Sequence, residues 1–265
     1  MSLRIQQNVE ALGAHRNLQN TSASVAKSME RLSSGYRINR AADDAAGLAI
    51  SERMRSQIRG LGQATRNIQD GVSLVQTAEG NLDEVHSMLQ RVRELAVQYK
   101  NGTLSASDKA AIQTEVNQLA SEIERIGTSA KFNGITLLAT SGTVTFQVGV
   151  GDGEAITVST ISLGSSVGNF ATLSSSGAIS AIDAAIGKVS EARATFGAVQ
   201  NRLEHTMAST MVYQENLTAA ESRIRDVDMA QELVNLTKNQ ILQQAGTSML
   251  AQANQAPQSI LSLIR

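Results

Sequence analysis

Hydrophobic residues recur at alternating three- and four-residue spacings along most of this chain, a pattern typical of amphipathic α-helices. The longest such run follows Asp43-Asp44 and ends at Tyr99, and it keeps one coiled-coil register for about six heptads. At about 1.5 Å per residue, a helix from Ala45 to Tyr99 would be on the order of 80 Å long. The pattern therefore predicts a long helical rod.

Two further helices are expected beside this rod. Ser105 is the predicted cap of the first, which should fold back on the rod, and residues 181–225 carry the apolar positions of the second. Between them the period changes to two: residues 144–148 and 156–159 are short, β-branched runs separated by a glycine-rich turn, which predicts a β-hairpin. The serine- and glycine-rich residues 164–177 are expected to form a surface loop.

Both ends of the chain carry helical patterns with few charges. Near the N-terminus, Leu18, Val25, Met29 and Leu32 repeat at helical spacing. From Met229 to the C-terminus the only charged residues are one glutamate, one lysine and one arginine, and the polar positions are mainly Gln, Asn, Ser and Thr. A solvated helix would carry more charge, so this C-terminal arm is expected to pack against other chains. Its predicted packing residues are Val234, Ile241, Ala245, Met249 and Leu250.

Composition excludes several classes of function. The formal net charge of −1 gives no basic footprint for nucleic acid or for an anionic membrane, and no apolar run is long enough to span a bilayer. The chain has no cysteine, and His15, His86 and His205 stand in no metal-ligand spacing. No catalytic constellation emerges from the sequence, so we expect neither an enzyme nor a bound cofactor or metal. The first residues also lack the apolar segment of a general secretory signal.

Several separate segments resemble one family. The N-terminal segment ERLSSGYRINRAADDAAGLAI and the C-terminal segment QILQQAGTSMLAQANQAPQS are similar to the most recognisable parts of bacterial flagellin, the subunit of the flagellar filament. The resemblance covers roughly residues 1–150 and 180–265. Its segments are residues 30–50, 67–71, 90–98, 131–134, 196–204, 216–226 and 240–259.

The resemblance implies a mainly α fold: a long antiparallel helical rod with a small β-hairpin, flanked by N- and C-terminal arms that pair. We expect an N-terminal arm and spoke at 1–42, the N-terminal part of the rod at 43–180, its C-terminal helix at 181–225 and a C-terminal arm at 226–265. The outer domains of larger flagellins are absent, because only a short loop occupies their place. The implied function is structural: self-assembly into a helical homopolymer that drives motility.

The family also implies partners and a location. Flagellins leave the cell through the flagellar type III export apparatus without a cleaved signal, bind an export chaperone through the C-terminal arm, and meet hook–filament junction and cap proteins in the extracellular flagellum. On the rod, a host Toll-like receptor recognises a face that also contacts neighbouring subunits. Arg91 and Leu95 lie one helical turn apart and are expected to share that face. The implied contact residues are Gln90, Arg91, Glu94, Leu95 and Glu115.

Other interpretations stay open at this stage. The rod face could simply be a solvated helix surface with weak ion pairs. A hook–filament junction protein shares the N-terminal pattern and the helical arms. A generic coiled-coil scaffold is the alternative from a different class, but it would carry charged e and g positions through to its ends, and this C-terminal arm lacks them.

Overall fold

The computed structural model describes residues 7–164, 173 and 178–264, with side chains described up to residue 255. Most of the surface loop expected at 164–177 therefore lies outside the described residues, as do the first six residues. The helices are α1 (Val9–Ser34), α2 (Ala45–Tyr99), α3 (Ala106–Ser129), α4 (Ala178–Arg225) and α5 (Met229–Ile264). The strands are β1 (Lys131–Phe132), β2 (Ile135–Thr136), β3 (Gly142–Gln147) and β4 (Ala155–Thr160).

The chain divides into two compact units. Residues 1–56 and 216–265 form what we call the arm unit, and residues 57–215 form the rod unit. The arm unit contains both arm helices together with the first turns of α2 and the last turns of α4. The sequence-based boundaries at 42 and 226 fall instead where α1 and α5 connect to α2 and α4.

The rod unit is built on the heptad seam of α2. Because a seven-residue repeat returns to nearly the same side of a helix, residues at that spacing can face one partner continuously. The α2 residues at this spacing are fully buried, and they pack with apolar residues of α3 and α4 in one core cluster. The seam residues are Ile68, Val75, Leu82, Leu89 and Ala96, and the partners include Val116, Ile123, Ile182, Val189, Phe196 and Leu203. The predicted rod helices are confirmed.

The predicted hairpin is formed by β3 and β4, which pair antiparallel with Val144 opposite Val158. It packs against α2 at Gly71, where an added Cβ would lie 3.3 Å from atoms of both Phe146 and Leu203. Glycine lets this strand and α4 approach α2 closely, which offsets the roughly 1 kcal/mol that glycine costs in a helix interior. Burial of Phe146 and Leu203 around Gly71 thus ties the hairpin to the helices.

A second, smaller hairpin was not anticipated. β1 and β2 pair antiparallel, with Phe132 opposite Ile135. Their turn is Asn133-Gly134, with φ values of 47° and 81°. Both values lie in the left-handed region, as a type I′ turn requires. The Asn-Gly dipeptide indicated a possible hairpin turn, but strands of two residues are too short to show alternating apolar and polar positions.

In the arm unit, α1 and α5 run antiparallel. Near one end the Asn8 side-chain amide donates to the Ala253 carbonyl at 2.8 Å, and near the other Arg31 lies 3.5 Å from Glu232. The expected pairing of the two arms is confirmed.

The segments that follow α1 and precede α5 are also tied together. Tyr36 and Asp226 form an antiparallel bridge, and the Arg37 backbone N–H donates to the Arg225 carbonyl at 2.7 Å. The Arg225 guanidinium lies 2.8 Å from Glu52 and 4.7 Å from the centre of the Tyr36 ring. Its hydrogen bond is the main reason that the pKa of Glu52 falls below its usual value.

Candidate assembly and recognition surfaces

The seam between the two arm helices is composed mostly of small and polar residues. In both helices the positions that face the partner follow a heptad spacing and are buried or half-buried. On α1 they are Ala11, Ala14, Leu18, Thr21, Val25, Ser28 and Leu32, and on α5 they are Glu232, Leu236, Asn239, Gln243, Gly246, Leu250 and Ala253. Met29, expected in this set, is exposed; Ser28 takes the seam position because the three-four register passes through residue 28.

Several large apolar residues of the arms lie on the side away from this seam, although Leu18, Val25 and Leu32 of α1 and Leu236 of α5 lie within it. We use the name outer stripe for Val234, Ile241, Ala245 and Met249 of α5, of which Val234, Ile241 and Met249 are 62%, 66% and 64% exposed. Leu250, the fifth predicted packing residue, is half-buried on the α1 side. On α1, Val9 and Leu12 are likewise exposed. Exposed large apolar residues aligned on one side of a helix are typical of interaction sites.

On the rod unit, the fold-back of α3 brings Glu115 beside Arg91, as expected. The Arg91 Nε and Nη2 atoms donate to one Glu115 carboxylate oxygen at 3.1 and 3.0 Å, and Nη1 donates to Glu94 at 3.1 Å. The hydrogen bond to Glu115 is the main cause that raises the pKa of Arg91 above its ordinary value. All three side chains are about half-exposed or more, so the pair adds little stability and stays accessible to a partner.

Leu95 does not belong to this exposed face, so the expectation that it shares the face of Arg91 is wrong. Leu95 is only 2% exposed and lies in the core of the rod unit. Four residues turn a helix by about 40° beyond one full turn, enough to move from the flank of the seam into it. The accessible members of the predicted set are Gln90, Arg91, Glu94 and Glu115, and the Gln90 amide lies 2.9 Å from the His86 ring.

Arg93 forms a second exposed ion pair nearby on α2. Its Nε donates to Asp183 of α4 at 2.6 Å, and this hydrogen bond raises the pKa of Arg93. Arg93 and Arg91 are about equally exposed, but Arg93 contacts α4 whereas Arg91 contacts α3.

A groove of about 980 Å³ that sequence reasoning missed lies between the turn of the β3–β4 hairpin and the helices α2 and α4. Leu61 forms part of its floor, and Val150 and Tyr213 are exposed along it. In the sequence, the only feature that could have indicated this groove was the set of glycines at residues 149–153, which predicted only a turn.

Within the described residues, no group of three or more His, Asp or Glu side chains is arranged to hold a metal ion. In that same part of the chain, no helix is long and apolar enough to cross a membrane.

Comparison with known proteins identifies the family of this chain. Residues 5–143 match the bacterial flagellin N-terminal helical region, and residues 179–264 match the bacterial flagellin C-terminal helical region. The chain belongs to the bacterial flagellin family. Both matches include the arm helices as well as the rod, so they cover the two units described above.

Relatives of similar length support the assignment. A flagellin of Halalkalibacterium halodurans is 53% identical over 270 residues, with 98% of this chain and 99% of that protein covered. The flagellar filament 33 kDa core protein of Treponema phagedenis is 51% identical, also with 98% and 99% covered. The flagellin of Bacillus subtilis is 46% identical, with 99% of this chain and 100% of that protein covered.

Solved structures give the same fold. The crystal structure of Bacillus cereus flagellin aligns with a TM-score of 0.50 and 32% identity over 55% of this chain and 88% of that chain. A putative flagellar hook-associated protein from Vibrio parahaemolyticus aligns with a TM-score of 0.61 over 69% of this chain and 100% of that chain. At 15% identity, the second likeness concerns the fold alone.

The family assignment confirms the main functional prediction. The chain is a structural subunit that self-assembles into the flagellar filament, outside the cell, and its family is structural rather than enzymatic. Neither the hook–filament junction protein nor the generic coiled-coil scaffold is favoured by any of these findings.

Proposed function

We propose that this flagellin polymerises chiefly through the apolar outer sides of its two arm helices. The supporting observation is the placement of the outer stripe opposite the seam, so that pairing of α1 with α5 leaves it uncovered. Burying such surface stabilises an interface by about 25 cal/mol for each Å² of apolar area removed from water. Arms from neighbouring subunits would supply that cover in the filament.

A substitution in the outer stripe tests this proposal. Ile241→Asp places a carboxylate where a neighbour would exclude water, and an unpaired buried charge costs several kcal/mol. We expect the variant to fail to polymerise after seeding with filament fragments, while its monomer keeps its helix content. Gln240→Asp adds the same charge one residue earlier, at an exposed position off the stripe, and should polymerise nearly normally. Normal filaments from Ile241→Asp would overturn the proposal.

The same surface suits an export chaperone before assembly. An exposed apolar helix face is prone to aggregate in the cytosol, and a helix-in-groove complex would cover Ile241 and Met249. Leu250 would be reached only if α5 separates from α1, because it faces that seam. Chaperone pull-down should be lost for a chain ending at Asp228 and for Ile241→Asp, but kept for Gln240→Asp. Chaperone binding retained by the truncated chain would show that the chaperone site lies outside the C-terminal arm.

We also propose that the Arg91 surface contacts a neighbouring subunit and, on the released monomer, a host Toll-like receptor. Arg91 supports this because its guanidinium is accessible and already oriented by Glu115 and Glu94. Gln90 extends the polar face, while Leu95 would contribute only by shaping the core beneath it.

Arg93 provides a matched control for that surface. Arg91→Ala should reduce signalling in receptor-expressing reporter cells and lower the temperature at which filaments depolymerise. Arg93→Ala removes an equally exposed arginine and ion pair, and it should change signalling little. Equal effects of the two variants would show that charge loss on the rod, rather than the Arg91 surface, is responsible.

For export, we propose passage through the flagellar type III apparatus with the N-terminus retained, followed by contact with the junction and cap proteins. Membership of the flagellin family supports this route. Mass spectrometry of secreted protein should recover the N-terminal peptide uncleaved by signal peptidase. Secretion that persists without the flagellar export apparatus would contradict it.

A further inference from the structure

The sequence contains two Asn-Gly dipeptides, Asn101-Gly102 and Asn133-Gly134, in different local structures. An asparagine before glycine is chemically labile, because glycine has no Cβ to keep its backbone nitrogen from the preceding side-chain amide. We propose that Asn101 is a site of spontaneous deamidation in the folded chain, whereas the β1–β2 hairpin protects Asn133.

The reaction needs only water and base. The Gly102 nitrogen gives up its proton and attacks the Asn101 Cγ atom, so that a C–N bond forms and a five-membered succinimide closes. The bond from Cγ to Nδ2 breaks, and the nitrogen leaves as ammonia after taking up a proton. Water then opens the ring at either carbonyl, which yields aspartate or isoaspartate.

The connection between α2 and α3 favours this attack. Asn101, Gly102 and Thr103 are all exposed. The Thr103 backbone N–H donates to Asn101 Oδ1 at 3.3 Å, which folds the side chain back over the Gly102 peptide. The same donor stabilises negative charge on that oxygen as the tetrahedral intermediate forms.

Gly102 is also free to act as the nucleophile. In the described part of the chain its N–H makes no hydrogen bond. A Cβ placed on Gly102 would meet nothing within 4 Å, so the space around its nitrogen is open. Nucleophile, electrophile and charge-stabilising donor therefore lie in three successive exposed residues.

Asn133 and Gly134 are also exposed, and a Cβ on Gly134 would likewise meet nothing within 4 Å, but the hairpin restrains the backbone of Asn133. Asn133 takes φ 47° at the turn of the hairpin, where the pair Phe132 and Ile135 fixes the strands on either side. The Leu137 N–H donates to the Ala130 carbonyl at 3.0 Å and extends the pairing by one step. Ring closure requires rotation about the Cα–C bond of Asn133, and that rotation would separate β1 from β2.

Deamidation would alter the α2–α3 connection in two ways. A new carboxylate at residue 101 lies just beyond the C-terminus of α2, where the helix dipole is unfavourable to negative charge. Isoaspartate also lengthens the main chain by one methylene carbon ahead of Ser105, the cap of α3. Old protein would thus carry chemically distinct subunits that differ at this connection.

The test uses the full chain, kept folded in mildly alkaline buffer and sampled over days. A glutamate-specific protease in acidic buffer releases residues 95–115, whose one asparagine is Asn101, and residues 125–154, whose one asparagine is Asn133. We expect the first fragment to gain the mass increase of deamidation severalfold faster than the second. It should also become a substrate for protein-isoaspartate methyltransferase.

Two controls separate structure from local sequence. In denaturant the two rates should converge, because the hairpin no longer restrains Asn133. In the folded chain, Gly102→Ala should slow the reaction at Asn101 on the order of tenfold, since the added Cβ hinders the nitrogen. The proposal is overturned if the two fragments shift at equal rates in the folded chain, if Asn133 reacts faster, or if Asn101 stays unmodified.

Discussion

The rod unit and the arm unit use the same heptad spacing, but the arm seam contains many more small and polar residues. In the rod, the heptad seam of α2 is filled by residues such as Leu82 and Leu89, which are fully buried, and the outer side carries charges such as Arg91 and Arg93. In the arms, the seam holds residues such as Asn239 and Gln243, while large apolar residues such as Ile241 face outward.

This difference separates stability from assembly. A seam of close-packed aliphatic residues gives the rod unit a core that does not depend on other chains. A seam with many polar and small residues buries less apolar area between the arms, and on the proposed function the exposed apolar residues serve interchain contacts. Four sets of variants, each made in one or both units, test this difference.

The largest effect is expected in the rod core. Leu89→Ala removes a fully buried side chain and should lower the free energy of unfolding by about 3 kcal/mol. Leu242→Ala makes the same change on the half-exposed outer side of α5 and should change it by less than about 0.5 kcal/mol. Urea unfolding followed by circular dichroism measures both. Similar losses for the two variants would remove the distinction between the units.

Making the arm seam more like the rod should strengthen it. Replacing Asn239 and Gln243 together by leucine adds apolar burial against α1, worth on the order of 1 kcal/mol. Hydrogen exchange of the α1 and α5 amides in the monomer should slow accordingly. Leucines at the exposed positions Gln240 and Gln244 are the control and should leave exchange unchanged. Equal slowing of exchange in both double variants would show that Asn239 and Gln243 do not face α1.

Local capping should contribute less to the rod than its core. The Ser105 side chain accepts from the Asp108 N–H at 3.2 Å, and the Asp108 carboxylate accepts from the Ser105 N–H at 3.1 Å. Ser105→Ala should lower the free energy of unfolding by about 1 kcal/mol. Ser107→Ala, inside the first turn, should have almost no effect. Equal stabilities of the two variants in urea would argue against the capping box.

The smallest effect concerns acid stability of the arm unit. The Lys27 ammonium lies 2.7 Å from Asp43, and its hydrogen bond is the main reason that the pKa of Asp43 falls from 3.8 to about 2. Because the folded pKa is depressed, this contact stabilises the arm unit above pH about 4 and is lost as the pH falls toward about 2. Asp43→Asn should flatten the acid limb of a thermal unfolding profile in that window. An unchanged limb would assign acid sensitivity to other carboxylates.

The features that could be predicted from the sequence are those encoded by a pattern that repeats over many residues. The seven-residue repeat from Ile68 to Ala96 fixed the rod helix, because each seam position repeats the same burial. The scarcity of charge in α5 predicted Ile241 and Met249 as interchain packing residues, and this stays a prediction; which face of α5 meets α1 could not be predicted. Register there depends on the fit of Leu18 of α1 against Gly246 of α5, where an added Cβ would lie 3.3 Å from the Leu18 Cδ1 atom.

Leu95 and the β1–β2 hairpin show where pattern reading fails. Leu95 follows Arg91 by four residues and is therefore rotated by about 40° around the helix axis. This rotation is enough to bring Leu95 into the buried side of α2, while Arg91 stays exposed. The two-residue strands beside Asn133-Gly134 are too short to display a period. Burial of Leu95 depends on the rod core, which includes residues distant in sequence, whereas the hairpin is local but too short to show a pattern.

Oxidative footprinting of the native methionines tests the central claim most directly. In monomer, Met249 should react with dilute peroxide much faster than the half-buried Met88 and Met207 of the rod unit, because its side chain is uncovered. In filaments, Met249 should become strongly protected, while Met88 and Met207 change little. The account would be contradicted by a Met249 that is protected in the monomer or that reacts equally fast in filament and monomer.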